Sequence, residues 1–197
     1  AATGGALRVG DVPVTKKTLE MIRRAVGMVF QDPDDQLFMP TVFEDVAFGP
    51  RNLGLPEEEV AGRVDRALAT VGASHLRSRP PYKLSGGEKR AVAIATVLSM
   101  SPDILVMDEP TASLDPASRR SLITLLRSFE HTKILATHDL DMAVDVCERT
   151  LVLKEGRVVA DGPTLVLMKD DALLSSCHLE RPLRFQACPV CGRSEVR

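Results

Sequence analysis

The sequence has 197 residues, is 44% hydrophobic and carries a formal net charge of −2. That much apolar material builds a core for one domain with a small appendage, and 25 basic against 27 acidic residues imply no strongly basic face, so nucleic acid is not favoured as a partner. With no tryptophan and 4% aromatic residues there are few platforms for stacking bases. The most apolar stretch, residues 91–100, is about half of the roughly 20 residues that cross a bilayer.

In chain order, residues 5–14 hold two short apolar pieces around Gly10-Asp11, a hairpin pattern. Residues 25–30 (AVGMVF) read as a buried strand. Residues 41–48 have helical character, with Thr41 as N-cap and Glu44 in the capping-box position. Pro56 opens a second helix that Glu57, Glu58 and Glu59 favour at its positive end and Gly72 closes. The longest helical pattern starts at Ser85-Gly86 and stops before Pro102. Residues 103–108 (DILVMD) form a strand ending in carboxylates, residues 117–129 a helix, residues 133–137 (KILAT) another buried strand and residues 139–147 a helix. Residues 150–153 and 157–159 pair across Glu155-Gly156, and residues 163–169 close with a short helix; after Asp171 the pattern loosens. Strands alternating with helices predict an α/β fold with a mostly parallel sheet. The helical run between residues 41 and about 101 reads as a subdomain inserted into it.

Two segments carry chemistry. In ILVMDEP (residues 104–110) four apolar residues make a strand buried on both faces, whose carboxyl end delivers Asp108 and Glu109 to the rim where open α/β sheets place ligands. Adjacent carboxylates there suit Mg²⁺ with a nucleotide, the first acid serving the metal and the second polarising an attacking water; the bland alternative is two solvated surface acids. In LSGGEKR (residues 84–90) Ser85, Gly86 and Gly87 begin the long helix, whose unpaired N–H groups and positive end suit a phosphate. Ser85 with Glu88 also fits an ordinary capping box, and the two readings are compatible.

LSGGE, then a hydrophobic strand ending in DEP, then SLD (residues 113–115), preceded by VFQ (residues 29–31) and followed by ATHD (residues 136–139), resembles the ATP-binding subunits of ABC transporters, in their order and over about residues 5–169. The resemblance implies a P-loop NTPase core with an inserted helical subdomain. It makes Gln31 the Q-loop glutamine that senses Mg²⁺ and the attacking water, and Ser85, Gly86 and Gly87 the signature that closes over ATP held by a second ATPase subunit. Asp108 becomes the Walker B aspartate, Glu109 the catalytic base, Asp115 the D-loop residue at the dimer interface and His138 the switch histidine on the γ-phosphate. Residues 30–56 (FQDPDDQLFMPTVFEDVAFGPRNLGLP) resemble more narrowly the ATPases of cobalt, nickel and vitamin uptake of the energy-coupling-factor kind, where this region receives a helix of an integral membrane subunit. The implied place is the cytoplasmic face of the membrane, with ATP and Mg²⁺ as cofactors. Chromosome-maintenance ATPases share the signature and the acidic strand, but place long coiled coils where only a compact helical stretch separates Gln31 from Ser85.

The family's GxxxxGK[ST] loop does not occur in the sequence: Gly4-Gly5 lacks the following Gly-Lys, and Lys16-Lys17-Thr18 lacks the glycines. The first strands and the Walker A helix are therefore expected to be missing, leaving an unnatural sheet edge and an uncovered face. A chain opening on Ala rather than Met fits a fragment or processed product, and the alternative function is a non-catalytic or heterodimer-completing subunit that lends LSGGE to a partner. The domain reading is residues 1–170 as a partial nucleotide-binding domain and residues 171–197 as a tail. Cys188-Pro-Val-Cys191 resembles half of a zinc knuckle, with Cys177 and His178 as the other half; the competing reading is a cytosolic tail with free thiols.

Overall fold

The computed structural model describes residues 4–186, which divide into two compact units: one running to Leu125 and including Phe129–Ala136, the other comprising Leu126–Ser128 and the chain from Thr137 onward. The first unit opens with an antiparallel hairpin of β1 (Arg8–Val9) and β2 (Val12–Pro13), then α1 (Leu19–Ala25), which runs directly into β3 (Val26–Val29). The sequence pattern did not predict α1. It buries no residue and is held locally, by an Arg24–Glu20 pair at 2.9 Å one helical turn apart, so it leaves no apolar periodicity to read.

Three helices follow: α2 (Val42–Asn52), α3 (Glu57–Thr70) and α4 (Gly86–Leu98). Thr41 caps α2 by accepting the Glu44 N–H at 3.3 Å, as its position predicts. The helix runs past the expected stop at Phe48 because Pro50 is buried and the chain behind it still closes helical bonds, Leu53 N–H reaching the Gly49 carbonyl at 3.1 Å. The acid-rich first turn of α3 matches the expectation, and Gly72 ends that region with φ 70°, a left-handed conformation that glycine adopts without strain. The three helices share one core, in which Val42, Val46, Val60, Val64, Leu68 and Val92 are fully buried.

The sheet is β3, then β4 (Ile104–Asp108), then β5 (Thr132–Ala136), all parallel, with α5 (Pro116–Ser128) between β4 and β5 in sequence. Register aligns Gly27 with Leu105 and Lys133, and Val29 with Met107 and Leu135. Side chains alternate across a strand. The face bearing Gly27, Val29, Leu105 and Met107 is buried, whereas the opposite face leaves Met28 48% and Ile134 54% exposed. Among the described residues β5 pairs on one side only.

α4 covers the buried face, so tightly that a Cβ placed on Gly27 would lie 2.2 Å from Val97 Cγ1 and 2.9 Å from Pro102 Cγ. Gly27→Ala is therefore expected to destabilise the chain by about 1–3 kcal/mol through overpacking. Gly86→Ala, where no atom lies within 4 Å, is expected to cost nothing measurable. Urea denaturation of the two variants measures the difference.

The second unit contains α6 (Leu140–Val146), the antiparallel pair β6 (Arg149–Lys154) and β7 (Arg157–Pro163), α7 (Thr164–Leu167) and α8 (Asp171–Ser176). The β6–β7 turn is made by Glu155 and Gly156 with φ 50° and 73°, positive at both central positions as a tight hairpin requires. α8 falls where the sequence pattern loosened; its signal was Asp170, whose carboxylate accepts the Leu173 N–H at 3.0 Å as an N-cap. Among the described residues no helix is long and apolar enough to cross a membrane.

Candidate functional site

The carboxyl edge of the sheet carries the first group. Four apolar residues drive β4 into the layer between β3 and β5, and the strand ends on an exposed Asp108. Glu109 then turns the chain with φ 42°, its N–H donating to the Ala136 carbonyl at 2.8 Å, and Ser113 turns it again with φ 60°. Two non-glycine residues in the left-handed region within one short segment are costly, and such strain clusters at functional sites. Val29 is in register with Met107, so the chain leaving β3 brings Gln31 out at the same edge as Asp108, on strands about 4.8 Å apart.

The second group is the start of α4. Ser85 has extended φ/ψ of −66° and 162° and caps the helix, its Oγ accepting the Glu88 N–H at 3.3 Å. The Glu88 carboxylate in turn accepts the Ser85 N–H at 2.7 Å and the Ser85 hydroxyl at 2.8 Å, completing the capping box. Ser85 and Gly86 are exposed, leaving the positive end of a 13-residue helix open to solvent. The backbone N–H of Ser85, and then its hydroxyl, hold the Glu88 carboxyl below its ordinary range. A lowered folded pKa means that this stabilisation is complete above the unfolded value, about 4.3, and is lost as pH falls through the folded one. Glu88→Ala is expected to cost about 1 kcal/mol at neutral pH and progressively less below pH about 4, as read from denaturation midpoints at both pH values.

The two glycines differ. Gly86 faces open space, but a Cβ on Gly87 would sit 2.3 Å from Ser118 Oγ and 3.8 Å from Asp115 Oδ2. The glycine-led start of α4 thus abuts the start of α5. There Asp115 is the N-cap, accepting from the Ala117 N–H at 2.9 Å and the Ser118 N–H at 3.1 Å, while the Ser118 hydroxyl donates to its other oxygen and holds its pKa low. Ser85–Gly87 and Asp115, picked separately from sequence, are neighbours. Ser118, which joins them, was not picked, since a serine one turn into a helix carries no signal of its own.

Gln31 is exposed, yet its backbone is fixed from α4: Arg90, buried, donates through Nη1 to the Phe30 carbonyl at 2.7 Å and through Nη2 to the Gln31 carbonyl at 2.5 Å. Neither Arg90 nor Gln36, which also bridges this segment to α4, was singled out from sequence as a site residue. Farther along, Phe38 stacks edge-on against Phe48 at 5.1 Å between centroids, 62% and 42% exposed. Together they form an exposed apolar surface. Phe43 is the half-buried one, packed against the helical core beneath Arg77.

His138 belongs to the second unit, exposed, between β5 and α6 in sequence, next to Asp139, the N-cap of α6. Of the four candidate zinc ligands, Cys188 and Cys191 lie outside the described residues. Cys177 is half-buried at the end of α8 and His178 follows it with φ 57°. Among the described residues no group of three His, Cys, Asp or Glu side chains could hold a metal ion.

A parallel sheet with two acids at its carboxyl edge and an open glycine-led helix end is the arrangement in which open α/β proteins present ligand and anion sites. Residues 1–112 match the ABC transporter family. A putative ABC transporter ATP-binding protein of Geobacter sulfurreducens is 67% identical over 193 residues, spanning 98% of this chain and 78% of its own length. The energy-coupling factor transporter ATP-binding protein EcfA1 of Methanospirillum hungatei is 46% identical over 92% of this chain and 67% of its own. Among solved structures, CbiO1 of Clostridium perfringens, part of the ABC transporter complex CbiONQ, superposes with TM-score 0.78 at 39% identity, over 88% of this chain and 72% of that one. The ATP-binding cassette MJ0796, solved as a dimer with ADP and Pi, gives TM-score 0.71 at 28% identity over 82% and 74%. This chain belongs to the ATP-binding subunits of ABC transporters, and its fold is that of their P-loop ATPases.

Proposed function

We propose that this chain works as one side of an ATP site shared between two ATPase subunits of an importer for cobalt, nickel or a vitamin. The observation that carries the reading is the exposed start of α4, with Ser85 and Gly86 open to solvent and Gly87 seated against the Asp115–Ser118 cap. In that reading Ser85, Gly86 and Gly87 close over the γ-phosphate of ATP held by a partner subunit, and Asp115 lies at the subunit interface. In the same reading Asp108 would hold Mg²⁺, Glu109 would polarise the attacking water and Gln31 would orient it; His138, to which the resemblance gives the γ-phosphate contact, is carried by the second unit. The carboxylates at the sheet edge fit a divalent cation by charge, and the open helix end fits an anion. The metal, when bound, supplies charge neutralisation on the phosphates. The Phe38–Phe48 surface receives a helix of an integral membrane subunit, which places the chain at the cytoplasmic face of the membrane.

A second reading rests on the exposed start of α4 alone. The chain then serves only as donor of LSGGE, completing a heterodimer without hydrolysing ATP at its own acids. The two readings are separated by purifying the complex from its source and testing each of its sites. Inactivation of Glu109 that leaves turnover unchanged selects the donor-only reading, whereas a loss of turnover selects the first. The zinc reading of the tail rests on the Cys188–Cys191 spacing. It is tested by metal analysis of the purified chain, where less than about a tenth of an equivalent of zinc ends it.

A further inference from the structure

We infer that Arg90, with Gln36, is a positioning residue: it locks the segment carrying Gln31 onto the glycine-led helix, so that Gln31 and Ser85 move as one body. The inference rests on the shared-site reading above. Arg90 lies in the second turn of α4 and is 3% exposed. Its two terminal nitrogens are spent on successive carbonyls, those of Phe30 and Gln31, rather than on a carboxylate. Burying a guanidinium costs several kcal/mol unless its geometry is used, and a leucine or methionine would fill the same volume more cheaply. What the guanidinium adds is a planar fork whose N–H groups fix the orientation of two consecutive peptide planes, and with them the direction in which Gln31 leaves the backbone.

Gln36 makes an independent tether. Its Nε2 donates to the Ala93 carbonyl at 2.8 Å and to Thr96 Oγ1 at 2.7 Å, while its Oε1 accepts the Phe30 N–H at 3.2 Å. Lys89 adds an ion pair to Asp34 at 2.6 Å. Beyond it the buried Asp45 of α2 accepts the Phe38 and Met39 N–H groups, both at 3.0 Å. From Phe30 to Met39 the segment therefore hangs on α4 and α2, with Phe38 exposed near its far end. A displacement applied at Phe38 would reach Gln31 and the start of α4 together.

Two readouts test this. In the 197-residue chain, Arg90→Lys keeps the charge and removes the fork. Hydrogen exchange of the Phe30 amide and the amides of residues 34–39 is expected to become about tenfold to a hundredfold faster, the range that losing one hydrogen bond to a charged group produces, with α3 unchanged. Unchanged protection of those amides overturns the inference. In a mixture with an ABC ATPase subunit whose own signature is disabled, Arg90→Lys is expected to lower the kcat that the unsubstituted chain restores by about tenfold or more and to leave the KM for ATP in place. A rise in KM with kcat intact also overturns it. Should Arg90→Lys fail to fold, Gln36→Ala, on the separate tether, is expected to give the same acceleration at Phe30, and its absence counts equally against the inference. If the unsubstituted chain restores no hydrolysis, the shared-site reading fails while the exchange result still decides whether Arg90 positions the segment.

Discussion

Gly86→Asp in this chain is expected to abolish its ability to complete a partner's ATP site, lowering the restored hydrolysis by about 10²–10³-fold, while leaving the chain folded. The structure separates the two effects. Nothing lies within 4 Å of a Cβ at Gly86, and its φ is not positive, so a side chain fits. A carboxylate in the first turn of α4 interacts favourably with the helix dipole, which stabilises the helix by about 0.3–1 kcal/mol. The same carboxylate stands where the γ-phosphate must sit, and two anions cannot share one helix end. A chain that is at least as stable as the original by thermal denaturation, yet inactive in phosphate release from the mixture, is the expected pair of results. A folded Gly86→Asp chain that restores hydrolysis as well as the original would remove α4 from the site.

The chain by itself is expected to bind MgATP with Kd above about 1 mM, equivalent to less than about 4 kcal/mol, and to show no turnover. The backbone nest and lysine of a phosphate loop hold the β- and γ-phosphates in P-loop enzymes. Asp108 and Glu109 cannot stand in for them, because each adds a negative charge beside a polyanion. Calorimetric titration and phosphate release on the purified chain measure both quantities. Micromolar binding with Mg-dependent turnover in the absence of a second subunit would show that residues of this chain replace the loop.

Much of the α/β layout was legible in the sequence because its elements end on strong local chemistry. Ser85 with Glu88 and Thr41 with Glu44 mark two helix starts, Gly72 one helix end, and Glu155-Gly156 a hairpin. β4 was readable as an apolar run closed by acids. Elements without such signals were missed. α1 buries nothing, α8 is short, and α2 runs through a Gly49-Pro50 pair that reads as a stop. At the candidate site, Ser85, Asp108 and Asp115 stand at element ends, as their local patterns predict, because each breaks such a pattern. The residues that assemble them do not. Arg90 is one charge among several in GEKR until its burial against the Phe30 and Gln31 carbonyls is seen, and Ser118 matters only through its approach to Gly87. Contacts between residues far apart in sequence leave no trace in a single chain's pattern, whereas caps and turns do.

The most direct measurement is a crystal structure of this chain with an intact ABC ATPase subunit, Mg²⁺ and a non-hydrolysable ATP analogue. The expected result has the terminal phosphate of the nucleotide held by the partner within about 2.7–3.2 Å of a donor at Ser85 or Gly87, across a contact that includes Asp115. Nucleotide bound with the start of α4 turned away into solvent would contradict it.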